Sequence, residues 1–178
     1  MAAGPRRTER LVMRQWAPSD ADAFAAMNAD PEVMRLLVSP LSRAQSDALM
    51  ARFEAHLARE GYGVWALEAL TGEFLGAVGL SQVSFEAPFS SRTAPAHELS
   101  WRLKRSAWGH GYATEAARLS ARFAFEELGL DEVVAFTVPH NHASRAVMRR
   151  LGMRESGRFA HPRLPPHHSL SEHVLYRL

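Results

Sequence analysis

Polar and apolar positions alternate from Thr8 to Trp16, with Leu11 and Met13 set against Glu9 and Arg14, and this period of two predicts an edge-like first strand. The period then lengthens. Pro18-Ser19-Asp20 starts a helix that stacks Phe24 and Met27, and Asp30-Pro31-Glu32 is a second start signal, a capping Asp followed by proline in the first turn. Ser42 and Gln45 form a capping box ahead of Ala44, Ala48, Leu49, Phe53 and Leu57 at helical spacing, and Gly61 ends that element. Strands at Tyr62–Leu70 and Glu73–Val83 flank Thr71-Gly72, a two-residue hairpin signal. A loop with two prolines, Phe85 to Ala96, leads to a strand over His97–Leu103. Its alternation puts Leu99, Trp101 and Leu103 on one face and Glu98, Ser100 and Arg102 on the other.

A helix follows as far as about Leu128, with Gly129 as its stop, then a strand over Asp131–Val138 and a short helix over Ala143–Leu151 closed by Gly152. Met153–Ala160 and Glu172–Leu178 read as a closing pair of strands around a loop holding Pro162, Pro165 and Pro166. A hairpin combined with a strand–helix–strand crossover predicts a mixed sheet. No repeat, linker or low-complexity tract interrupts the chain, so the expected organisation is a flexible segment 1–7 and one domain over 8–178.

Composition narrows the function classes. A chain of 178 residues, 47% hydrophobic and 22% charged, can bury a core of its own. There is no cysteine, which excludes disulfides, thiolate metal sites and a cysteine nucleophile. No apolar run approaches the length of a membrane span, and Met1–Arg7 lacks the apolar core of a signal peptide, so a cytoplasmic location is expected. Lys104 is the only lysine, and the net charge of +2 is too small to suggest a nucleic-acid binder. His161, His167, His168 and His173 gather near the C-terminus without a standard metal spacing, and no metal is expected.

The chemistry concentrates in Trp108-Gly109-His110-Gly111-Tyr112-Ala113-Thr114-Glu115-Ala116. Two glycines between a strand and a helix free the turn's amides, with the helix N-terminus, to meet one anion. Asn141-His142-Ala143-Ser144 opens a second helix about thirty residues later. These stretches, with Asp30-Pro31-Glu32-Val33-Met34, Gly72-Glu73-Phe74-Leu75-Gly76 plus Gly79, and Leu151-Gly152-Met153, resemble the GNAT superfamily of acetyl-CoA-dependent N-acetyltransferases. The likeness runs from Thr8 to Leu178 and looks nearest to the branch of ribosomal-protein N-terminal alanine acetyltransferases. Trp108, where the superfamily has Arg or Gln, is usual in that branch. Met148 stands where many members carry a tyrosine acid, and a thioether has no proton to give.

The resemblance implies an α+β fold, a mixed, mostly antiparallel, splayed sheet flanked by helices. It implies that acetyl-CoA is held by Gly109, His110, Gly111, Ala113 and Thr114 at the pyrophosphate, by amides near Leu103 and by Asn141 along the pantetheine arm, and by Arg149, among Arg145, Arg149 and Arg150, at the 3′-phosphate. Asn141 also reads as a plain helix cap. Ser144 is the candidate proton donor to the thiolate, or a surface serine. Glu98 is the candidate base, acting through water, or else the partner of Arg102 on its own face. The expected reaction is direct attack of a primary amine in a ternary complex, the amine being a protein N-terminal α-amine. Aminoglycoside, polyamine or amino-acid acceptors, and a CoA-binding module without catalysis, remain the alternatives. A homodimer is left open.

Overall fold

The computed structural model describes residues 6–178. β1 (Arg6–Arg7) and β2 (Leu11–Arg14) form a tight hairpin, and the rest of the segment expected to be flexible, 1–5, lies outside the described residues. β2 is not an edge. It lies between β1 and β3 (Val64–Ala69), and Leu11, Val12 and Met13 are all buried, so its inner residues are covered on both faces. A 3-10 turn at Pro18–Asp20 precedes α1 (Ala21–Ala29), and Asp20 does not cap it: its carboxylate binds Arg14 and the Ala17 amide instead. α2 (Pro31–Met34) is capped by Asp30, which accepts from the Glu32 amide. α3 (Arg43–Glu60) carries the full Ser42–Gln45 box and ends on Gly61.

β3 turns into β4 (Phe74–Gln82) by a longer route than Thr71-Gly72 suggests. The Gly72 amide bonds the Ala69 carbonyl and the Ala69 amide the Glu73 carbonyl, so Leu70, Thr71 and Gly72 form a three-residue loop ending on a left-handed glycine. β5 (His97–Leu103), α4 (Tyr112–Glu126), β6 (Val134–Thr137), α5 (His142–Leu151), β7 (Arg154–Ala160) and β8 (Glu172–Arg177) complete the chain. The sheet order is β1-β2-β3-β4-β5-β6-β8-β7, with every neighbouring pair antiparallel except β5–β6.

The two faces differ. On one, α4 packs across β2, β4 and β5, with Phe123 edge-on to Trp65, and α5 lies beside it. On the other, α1 and α3 cover β3 and β4, tied together by Asn28 donating to Ser46 Oγ at 2.9 Å. Opposed residues of an antiparallel pair share a face. Trp101 and Val78 therefore look toward α4, while Glu98 with Ser81, and Arg102 with Ala77, look toward α1 and α3.

Candidate active site

β5 and β6 touch at one register pair, Glu98 with Val134, and past it no residue of β5 has a partner on β6. The gap exposes backbone. The Lys104 amide bonds the Leu75 carbonyl, so the neighbouring pair, Leu103 with Gly76, is the non-bonded kind, and Leu103 turns its N–H and C=O toward the gap. Trp108 Nε1 donates to that carbonyl at 2.9 Å, which leaves the Leu103 N–H facing the opening.

The glycine turn lies beyond the same gap. Gly109 and Gly111 have φ of +78° and +79°, and Gly111 is the N-cap of α4. The first helical bond is Glu115 N–H to the Gly111 carbonyl, and the amides of residues 109–114 donate to no acceptor among the described residues. Six free N–H groups at a helix N-terminus suit a pyrophosphate. A Cβ at Gly109 would meet nothing within 4 Å, so there is room above the turn. The turn is held from behind. Arg10 bonds Glu115 through Nε at 2.8 Å and the His110 carbonyl through Nη1 at 3.1 Å, and Thr8 Oγ1 also donates to Glu115. The His110 ring stacks on Tyr112 and is exposed, so His110 contributes backbone to the turn.

On α5, Asn141 caps the helix by accepting from the Ser144 amide at 3.2 Å and donates to Thr137 Oγ1 at 2.9 Å, which leaves one amide hydrogen uncommitted. Ser144 Oγ accepts from Trp101 Nε1 at 3.3 Å, a link from β5 to α5 that the sequence did not reveal, and its own hydroxyl hydrogen stays free to donate. Met148 is fully buried. Arg145 is committed to Tyr176 Oη, the Pro139 carbonyl and Glu155, a network pinning α5 to β7 and β8. Arg149 is exposed and has no side-chain partner among the described residues.

Glu98 sits where β5 and β6 part, on the face opposite Ser144. It does not pair with Arg102. That guanidinium donates to Asn28 Oδ1 at 2.7 Å, and burial without a carboxylate lowers its pKa to about 10. Glu98 has no charged partner, and burial alone pushes its pKa up to about 8. Its neighbour Val134 belongs to an apolar cluster with Val83, Phe159 and Leu175, over which Phe85, Phe89 and Phe136 pack, while Glu98 itself stays partly exposed. His161 and His173 stand 5.0 Å apart against the same rings, and burial lowers the pKa of both. No group of three or more metal-binding side chains comes together among the described residues.

The raised pKa has a stability consequence. The folded protein keeps a proton that the unfolded chain releases near pH 4.3, so stability falls as pH rises from there and levels off above the folded value of about 8. Glu98→Gln is therefore expected to stabilise the protein at pH 8 by about 1–3 kcal/mol, with little gain at pH 5. Melting curves of both proteins at the two pH values check this, and an equal gap at both would contradict it.

Residues 10–154 match the acetyltransferase (GNAT) domain profile. Over 150 residues the chain is 35% identical to the FsC-acetyl coenzyme A-N(2)-transacetylase of Aspergillus fumigatus, a match that covers 82% of this chain and 63% of the fungal protein, less than two thirds of its length. The structure superposes on an acetyltransferase from Agrobacterium tumefaciens with a TM-score of 0.78 at 28% identity, over 100% of this chain and 95% of that one. RimJ of Mycobacterium smegmatis, solved in complex with CoA-disulfide, has the same fold, with a TM-score of 0.74 at 22% identity over 98% of this chain and 85% of that one. No helix among the described residues is long and apolar enough to cross a membrane. Parted strands, an open glycine turn and a profile that spans most of the chain agree: this chain belongs to the GNAT acetyltransferase family.

Proposed function

We propose that the protein transfers the acetyl group of acetyl-CoA directly to a primary α-amine within a ternary complex. The observation that carries this reading is Glu98, without a charged partner and with a raised pKa, at the mouth of the gap between β5 and β6. An ordinary carboxylate near 4.3 would take a proton from an α-ammonium near 7.8 at a cost of about 4.8 kcal/mol, whereas a carboxylate near 8 takes it at almost none. For a lysine-like ammonium near 10.4 the same transfer remains uphill by about 3 kcal/mol. The fungal relative, named for transfer to an N(2) nitrogen, is in keeping with this assignment.

Each step falls to a group already described. The amides of 109–114 hold the pyrophosphate, and Asn141 and the Leu103 N–H meet the arm and the thioester carbonyl across the gap. A donor in the last position stabilises the tetrahedral oxyanion. Glu98 removes the ammonium proton through water. Ser144, its oxygen already held by Trp101, donates its hydroxyl hydrogen to the departing thiolate as it takes up a proton from water, a task that the buried Met148 does not perform. Ser144→Ala should lower kcat by about tenfold, the worth of one hydrogen bond to a charged group, and leave acetyl-CoA affinity unchanged. Wild-type turnover in that variant would mean that water protonates the thiolate.

The deciding experiment is thiol release from acetyl-CoA with peptide N-termini, amino acids, polyamines and aminoglycosides as acceptors. Turnover confined to α-amines supports the proposal. Turnover confined to polyamines or aminoglycosides replaces it, and CoA binding without turnover on any amine makes the protein a binding module.

A further inference from the structure

Beside Glu98 the face that looks toward α1 and α3 opens into a cleft of about 370 Å³. Its walls include Arg52, His56 and Arg59 from α3, spaced to share one helix face, and Ser81, Gln82 and Ser84 at the end of β4. Ser81 is the register partner of Glu98, so the wall of the cleft reaches the strand position opposite that carboxylate. The charge in it is one-sided. Arg52 has no carboxylate within 4 Å among the described residues, and Arg59 is held by its neighbour Glu60 at 2.7 Å. Arg163, from the β7–β8 loop, commits only its Nη2, to the carbonyl and hydroxyl of the lining residue Ser84 at 3.0 and 2.7 Å, and likewise meets no acid. Arg59 also approaches His56 Nδ1 at 3.4 Å, and since a guanidinium only donates, Nδ1 accepts and the hydrogen sits on Nε2, a buried donor with no partner. The uncommitted groups on the α3 wall are thus donors. On the other side of Glu98 lie the rings of Phe85, Phe136 and Phe159.

We infer that the acceptor carries a carboxylate close to its amine, that Arg52 with Arg163 receives it in this cleft, and that an apolar side chain lies against the phenylalanine cluster. This deepens the reading of the protein as an α-amine acetyltransferase and rests on it. The carboxylate belongs either to a free amino acid or to an acidic residue next to a peptide N-terminus. The cleft supplies the same recognition in both cases: forked donors for a planar anion, beside a carboxylate that is mostly protonated and uncharged at pH 7.

The test compares kcat/KM, expressed per neutral amine because a free carboxylate raises the pKa of its α-amine, for two pairs of amines: phenylalanine with phenylalaninamide, and C-terminally amidated tetrapeptides with Asp or Asn at the second position. The carboxylate member should exceed its neutral twin by about tenfold or more in one pair, and that pair identifies the source. Arg52→Ala combined with Arg163→Ala, both exposed positions, should bring the ratio close to one while the neutral twin keeps its rate and acetyl-CoA its affinity. Equal rates for both members of both pairs overturn the inference and leave the acetyltransferase reading standing. So does a preference that survives the double substitution. If none of the four amines is acetylated while acetyl-CoA still binds, the α-amine reading falls and this inference with it.

Discussion

Gly111→Val is expected to lower acetyl-CoA affinity by about 10²–10⁴ while leaving a folded protein. The range is the loss of two charge-assisted hydrogen bonds at about 1.5–3 kcal/mol each. The cause is backbone, not crowding. A Cβ at this position would find only an Arg10 nitrogen at 3.6 Å, an ordinary contact, but a β-branched residue tolerates φ of +79° poorly. Relieving that strain, about 1–3 kcal/mol, rotates the peptide and turns the amides of the loop away from a common point. Gly79→Ala supplies the contrast: there a Cβ would lie 2.0 Å from the Gly63 carbonyl, so β3 and β4 must part and the whole fold weakens. Calorimetry with CoA, run well below the melting temperature of each variant, separates the two. Unchanged affinity in folded Gly111→Val would remove the phosphate role from this turn.

That contrast shows what the chain reveals by itself. Gly111 and Gly79 both belong to motifs that the sequence displays, but their physical reasons differ. The first is local, a turn torsion ahead of a helix, and can be inferred from the neighbouring residues. The second is the approach of another strand's backbone. The Asp30 and Ser42–Gln45 caps were legible for the same local reason, and so was the alternation that sets Glu98 and Trp101 on opposite faces. What stayed hidden depends on distant partners. Arg102 finds Asn28, 74 residues away, which leaves Glu98 alone. Arg145 is taken by Tyr176 and Glu155, which leaves Arg149 and Arg150 as the arginines of α5 without a side-chain partner among the described residues. The pairing of β1 with β2, which buries what alternation presents as an edge strand, is likewise a tertiary event. The arginine-lined cleft escaped because its walls come from α3 and from the end of β4, segments brought together only by the fold, with Arg163 of the β7–β8 loop bonded to Ser84.

Glu98→Gln keeps the shape of the side chain and removes the base, and its effect on rate depends on the acceptor. At pH 7 about one in seven α-amines of pKa near 7.8 is already neutral, a deficit of only about 1 kcal/mol. The variant should then lose about tenfold or less at that pH. A group titrating near 8 is about one-tenth ionised at pH 7, so the wild-type kcat/KM should climb through pH 8 as Glu98 loses its proton and level off near pH 9. The variant should keep the rise that belongs to the amine and lose the one that belongs to Glu98. A lysine-like acceptor behaves otherwise. Only about one in 2,500 of its amines is neutral at pH 7, deprotonation is a large share of the barrier, and loss of the base costs about 10²–10⁴. We expect the small effect, because burial has set Glu98 at the pKa that suits an α-ammonium and no second carboxylate lies beside it to share the work. Profiles of kcat/KM from pH 6 to 9.5 for both proteins, with acetyl-CoA affinity measured alongside, decide the matter. A loss above a thousandfold that persists at pH 9 with affinity intact would sink the α-amine reading and make Glu98 an essential group acting on a more basic amine.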